Sequence, residues 1–342
     1  MKKLISVFLS VVMIASLFAG CGASEAAETT VPGQAAVGLE SANAAETTYK
    51  IAIVQQLDHS SLDEIRTAVS AQLLSLAQGQ DFNIAIQEYN GQNDATMLNQ
   101  IGAQVVSDGV DMIIPIATTA AQCMVTAAEG TDIPIVYAAI SDPASAGLTG
   151  LPTVTGVSDA LNTPFILDMM LAAQPDVKSV GLLYSNSEIN SAAPIAEAKA
   201  YLEEKGIEYL EKTGNNSGEI ITAASDLVDR VDAVFTPTDN TVMAAEVAVA
   251  EILNEAGIPH YTGADSFVLS GAFTTCGVNY TELGTKAADM AFDILTGGEI
   301  GAFVVMDGGI ITVNTDTAAA VGIDYSVFST MANTVNEVTT AE

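Results

Sequence analysis

Two series of short apolar runs divide the chain. The first occupies residues 50–55, 83–88, 111–117, 133–139 and 154–157. The second occupies 179–184, 207–211, 231–237, 258–263 and 272–278. The runs are continuous rather than alternating, which is the pattern of strands covered on both faces, as in a parallel sheet. Between them the apolar spacing changes to that of helices. Leu62, Ile65, Val69, Leu73 and Leu76 recur at helical intervals, as do Met97, Ile101 and Val105. Segments 240–256 and 282–295 behave alike, and Ser61-Leu62-Asp63-Glu64 reads as a capping box at the first helix start. Strand–helix–strand repeats predict an α/β fold of doubly wound parallel sheets.

The two series also resemble each other. Asp111 opens a strand ending at Thr118-Thr119, and a helix then leads to Ile133-Pro134, another strand and Ser141-Asp142. Asp232 opens a strand ending at Thr238-Asp239-Asn240, and a helix leads to Ile258-Pro259, another strand and Ala264-Asp265. This predicts two similarly built lobes, and residues 49–328 leave room for both at roughly 100–200 residues per domain. The expected N-terminal lobe is 49–157 with 282–308, and the C-terminal lobe 158–281 with 309–330. Crossovers fall near Ser158, Thr281 and 307–309, where Gly308 and Gly309 permit unusual dihedrals.

Outside the lobes the composition changes. Lys2 and Lys3 precede an apolar run ending at Ala19-Gly20-Cys21, too short for the ~20 residues of a spanning helix. Residues 1–20 read as a secretory signal. Residues 21–48, rich in Ala, Glu, Thr and Ser, cannot bury enough surface to order themselves and read as a tether. Residues 331–342 read as a flexible tail.

Charge and cysteines then narrow the function. A net charge of −32 with 10 Lys+Arg excludes nucleic-acid binding, which needs clustered cations. Cys123 and Cys276 fall in different predicted lobes and are expected as separate buried thiols. No His or Cys spacing suits a metal, and no cofactor loop or nucleophile motif occurs.

In an open parallel sheet, ligands bind beyond the carboxyl ends of the strands. Those positions hold Gln56 and His59, Thr118-Thr119-Ala120, Ser141-Asp142, Asn186, Thr238-Asp239-Asn240 and Asp265. Each has a purely local role available, since Ser, Thr, Asp and Asn are common helix caps and Asp142-Pro143 suits a turn. Taken together they describe a zwitterion site. Thr118, Thr119 and the helix start behind them suit a carboxylate, and Asp239 and Asp265 suit an ammonium. An uncharged nucleoside or sugar, held by the Asn and Gln residues, is the alternative ligand. A catalytic use of Asp239 and Asp265 lacks any partnered nucleophile.

At these residues the chain resembles the ABC transporter substrate-binding proteins of the tryptophan/tyrosine type, with the periplasmic-binding-protein type I fold. The pieces are Ala117-Thr118-Thr119-Ala120-Ala121-Gln122, Ile133-Pro134-Ile135-Val136, Ser141-Asp142-Pro143, Thr155-Gly156-Val157-Ser158-Asp159, Tyr184-Ser185-Asn186-Ser187-Glu188, Pro237-Thr238-Asp239-Asn240-Thr241 and Tyr280-Thr281-Glu282-Leu283-Gly284. Asp58-His59, Asn279 and Ser266-Phe267-Val268 depart from the usual pattern. The resemblance implies two lobes on a three-segment hinge that closes over an amino acid, often aromatic, and it adds Glu188 to the candidate contacts. Its implied partners are an ABC permease and a cytoplasmic ATPase. The Cys21 environment resembles a lipobox, implying a lipid-anchored extracytoplasmic monomer. A surface sensor or adhesin on the same fold is the remaining alternative.

Overall fold

The computed structural model describes residues 47–341. The expected signal, Cys21 and most of the tether lie outside the described residues. Thr47 and Thr48 do not belong to a tether: they open the first strand, where Thr47 pairs with Phe82 and Thr48 with Asn83.

The first lobe is built from β1 (Thr47–Gln55), α1 (Ser60–Ala77), β2 (Phe82–Asn90), α2 (Ala95–Ser107), β3 (Met112–Ile116), α3 (Thr118–Ala127), β4 (Ile135–Ala138) and β5 (Val154–Ser158). The chain then crosses to α4 (Thr163–Ala173), β6 (Ser179–Tyr184), α5 (Ala192–Lys205), β7 (Glu208–Thr213), α6 (Ser217–Ser225), β8 (Ala233–Thr236), α7 (Asn240–Met243), α8 (Glu246–Glu255), β9 (His260–Thr262), α9 (Asp265–Leu269) and β10 (Thr274–Gly277). It returns through α10 (Tyr280–Leu295) and β11 (Val304–Val305), and crosses again into β12 (Ile310–Asn314), α11 (Thr315–Val321) and β13 (Thr334–Val338).

Strand order is β11-β5-β4-β3-β1-β2 in one sheet and β13-β12-β10-β9-β8-β6-β7 in the other. All pairings are parallel except β10 with β12. This is the doubly wound α/β architecture expected. Central strands β3, β4, β5 and β8 are buried along their whole length, which explains their unbroken apolar runs. Helix α10 lies close against α1 because Gly284 has no Cβ; one built there would stand 2.6 Å from the Ile65 carbonyl oxygen.

Several local expectations are corrected. The loose tail over 331–342 is instead a strand over Thr334–Val338, because β12 offers it a parallel edge from Ile310 to Asn314. Helix 240–256 is two helices, broken at Ala244 and Ala245. In α2 the buried stripe runs through Leu98, Gly102 and Val105, and Met97 is exposed. The capping box is absent: α1 has His59 at its N-cap without a side-chain cap bond. Ser61 and Glu64 are used elsewhere, bonded to Asp265 and Thr281. Cys123 and Cys276 are free and buried, as expected.

Candidate functional site

The carboxyl ends of both sheets face one another, and side chains bridge between them. Gln56 Nε2, just past β1, donates to Glu188 Oε1 at 3.0 Å and to Asn93 Oδ1 at 2.9 Å. Its Oε1 accepts from the Thr119 N–H at 3.0 Å, so the start of α3 is already occupied by an amide oxygen. Asn240 Nδ2 donates to the other Glu188 oxygen at 3.0 Å. Ser61 Oγ donates to Asp265 Oδ1 at 2.9 Å. Ser141 Oγ donates to Asp159 Oδ1 at 3.0 Å, which leaves Thr238 Oγ1, 2.9 Å away, to donate to Ser141. His59 Nε2 stands 3.4 Å from Asn240 Oδ1. These contacts hold the lobes closed.

Between the lobes lies a small cavity of about 30 Å³. His59, Ser61, Leu62, Thr118 and Ser141 line it from the first lobe. Asn190, Thr238, Asp239, Asn240, Met243, Ser266 and Phe267 line it from the second, and Asp159 and Tyr280 close it at the crossovers. That is room for no more than a few waters, so an amino acid requires the lobes to part. A wider cavity of about 690 Å³ opens on the hinge side. It shares only Asp159 and Tyr280 with the first, and it is the smaller, two-walled cavity that sits at the strand ends.

Two backbone positions beside the cavity are strained. Ala117 has φ 74° and Ala139 φ 57°, at the ends of β3 and β4. A non-glycine residue in this region costs of order 1–3 kcal/mol and persists where the surroundings require it. Here it turns the chain so that Thr118 and Ser141 face the other lobe. Alanine gives no sequence signal for such a turn.

Asp159 and Asp239 line the cavity, Glu188 and Asp265 are bonded to or beside its lining residues, and no Lys or Arg is among the lining residues. Burial pushes the Asp159 carboxyl up to about 6, against the opposing bond from Ser141. Burial, then the neighbouring Asp239 charge, push Glu188 up to about 7. Asp265 is raised by burial, with Ser61 opposing and Glu64 adding. Burial lowers His59 to about 4, so its ring is neutral at pH 7.

Of the sequence-predicted residues, His59, Thr118, Ser141, Thr238, Asp239 and Asn240 line the cavity. Gln56 and Glu188 form the bridge beside it, and Asp265 is tied to Ser61. Four stand elsewhere. Asp142 caps its own turn, accepting from Ala144 N and Ser145 N, and the Ser145 bonds lower its pKa. Asn186 is exposed and donates to Thr213 Oγ1 at 2.9 Å, because the chain turns outward after β6. Ala120 is a core residue beneath α3. Thr119 contributes its backbone to Gln56.

Asp239 reaches the cavity with its oxygens already engaged. Oδ1 accepts from Val242 N at 2.9 Å, and Oδ2 accepts from Ser185 N and Ser191 Oγ, each at 2.7 Å. It is the N-cap of α7, fully buried. Sequence reasoning missed Asp159, Ser61, Asn190 and Ser266. Asp159 was within reach, since it follows β5 as the other candidates follow their strands.

Facing lobes, a three-segment connection and a small cavity between them are the architecture of a solute receptor. The chain belongs to the ABC transporter substrate binding protein family, whose pattern matches residues 50–333. That family binds substrates rather than converting them, and its members are extracytoplasmic. Among the described residues no helix is long and apolar enough to cross a membrane. A tyrosine-binding protein of Clostridioides difficile (strain R20291) is 31% identical over 326 residues, covering 93% of this chain and 92% of that protein. Among solved structures, the ABC domain from Streptococcus pneumonia in complex with L-Trp superposes with a TM-score of 0.78 at 28% identity, covering 84% of this chain and 100% of that one. The ligand-free, open structure of a substrate-binding protein with adhesive properties from Clostridium difficile gives 0.65 at 32% identity, covering 85% of this chain and 99% of that one. The tryptophan complex fits better despite its lower identity. The tryptophan/tyrosine-type resemblance is thereby borne out.

Proposed function

We propose that this protein captures an aromatic amino acid outside the cell and hands it to an ABC permease driven by a cytoplasmic ATPase. The observation that carries the reading is the cavity whose walls come from both lobes and whose one carboxylate at the crossovers, Asp159, has a single side-chain donor, Ser141. Asp159 takes the ligand ammonium, the role that the occupied oxygens of Asp239 leave open. Thr118 and Ser141 offer hydroxyls to the ligand carboxylate. The names of the tyrosine-binding relative and the L-Trp complex support an aromatic side chain.

Residues 47–157 with 282–308 and 158–281 with 309–338 move as the two lobes. A ligand touching both favours the closed state by its differential affinity. Residues 1–20 are removed, a lipidated Cys21 anchors the chain, residues 21–46 act as its tether, and the receptor works as a monomer. A second reading, surface adhesion, draws on the adhesive relative and is compatible with the same cleft.

Isothermal titration tests the site. L-Tyr or L-Trp binds one per chain, and Asp159→Asn weakens binding about 10- to 100-fold, as expected for a hydrogen bond to a charged group of ~1.5–3 kcal/mol. Unchanged affinity in Asp159→Asn removes the proposed ammonium partner.

A further inference from the structure

Polar side-chain atoms that face the cavity without a partner show what the ligand must bring. Asn190 spends its Nδ2 on the Thr238 carbonyl at 2.7 Å, and its Oδ1 has no partner. His59 Nδ1 also has none. The other ring nitrogen, Nε2, faces Asn240 Oδ1, which can only accept, so Nε2 carries the proton and Nδ1 presents a lone pair. Ser266 Oγ, on the same lining, also has no partner, and as a hydroxyl it can give or accept a bond. The two atoms whose role is fixed, Asn190 Oδ1 and His59 Nδ1, both call for donors. One donor is the ammonium; the position of His59 calls for a second.

His59 sits among the apolar part of the lining. Leu62 lies one turn along from it, and Met243 lies one turn along from its partner Asn240, with Phe267 completing the apolar group. Asp159, bonded to Ser141 at the crossover, is the anchor proposed for the other end of the ligand. A side chain running from Asp159 toward Leu62 and Met243 brings its ring to the His59 acceptor.

We infer that the cleft selects amino acids whose aromatic ring carries a hydrogen-bond donor, a phenol or an indole, over a plain phenyl ring. The inference rests on the amino-acid reading above. A phenyl ring leaves a buried acceptor dry, and sites built to bond a ligand O–H or N–H reject the analogue lacking it by factors that reach ~10⁴–10⁵.

The test is isothermal titration of the full chain with L-Tyr, L-Trp and L-Phe. L-Phe is expected to bind at least about 100-fold more weakly than the other two. His59→Leu brings L-Tyr and L-Trp down to the L-Phe level, while His59→Gln, which keeps an acceptor, retains a preference. Equal affinity for all three, or a full preference surviving in His59→Leu, overturns the selection and leaves the amino-acid site standing. Binding of none of the three overturns both.

Discussion

The second lobe buries acids in two places, and the two are built differently. In its core, Glu246 Oε1 lies 3.0 Å from His260 Nδ1, and His260 Nε2 lies 2.7 Å from Thr236 Oγ1. All three residues are buried, at the end of β8, the start of β9 and the start of α8. Burial raises Glu246, and the adjacent imidazole opposes that rise. At the cleft, Glu188 and Asp239 are just as buried, yet every partner they have is neutral: Gln56, Asn240, Ser185, Ser191 and Val242. Burial raises both. The core acid has its own potential cation within the fold. The cleft acids do not, so that region responds to whatever positive charge arrives, a proton included.

The sharpest way to break this contrast is to remove the core partner. His260→Ala leaves the Glu246 carboxylate buried and unpaired, which costs about 3–5 kcal/mol. Urea denaturation should show that loss, while the protein that remains folded binds ligand with unaltered affinity. A loss of less than about 1 kcal/mol would mean that Glu246 is neutral in the core and the pair is no ion pair.

Next in size is Asp239→Ala. It strips a helix cap and leaves the Ser185 and Val242 N–H groups and the Ser191 hydroxyl without an acceptor. The expected loss is about 2–3 kcal/mol of stability. An Asp239 that serves mainly the ligand would show the reverse: full stability and abolished binding. The two measurements on one variant separate a residue of the fold from a residue of the site.

That separation explains how much the sequence could disclose. Paired apolar runs made both sheets and their crossovers legible, because strands covered on both faces must be apolar throughout. Strand tops pointed to the correct region for the same topological reason. What could not be read was which acids there are free. Asp239 and Asp142 carry the same residue type in the same kind of position as Asp159, but their oxygens are spent on neighbouring N–H groups, through dihedrals that no periodicity records. Ser61 fitted a capping motif and instead reaches Asp265, 204 residues away in sequence. The strained Ala117 and Ala139, which aim Thr118 and Ser141, carry no signal in residue type.

The smallest effect sharpens the comparison from the cleft side. Glu188→Gln keeps the shape and removes the charge, and at acidic pH, where Glu188 is protonated folded and unfolded alike, it should shift stability by under about 1 kcal/mol. Its signature is the pH profile. The closed cleft raises Glu188 from its ordinary 4.5 to about 7. Between those values the folded protein holds a proton that the unfolded chain has lost. Stability from this group is therefore lost as pH rises from about 4.5 through 7, and is flat on either side. Glu188 and Asp239 titrate as a pair, and with glutamine at 188 Asp239 no longer faces a neighbouring charge. The melting temperature of the wild type should thus fall relative to Glu188→Gln across that window, other ionisable groups being common to both. Parallel profiles would place Glu188 in the same class as Glu246, an acid whose charge the fold itself compensates, and the distinction between core and cleft would lose its electrostatic basis.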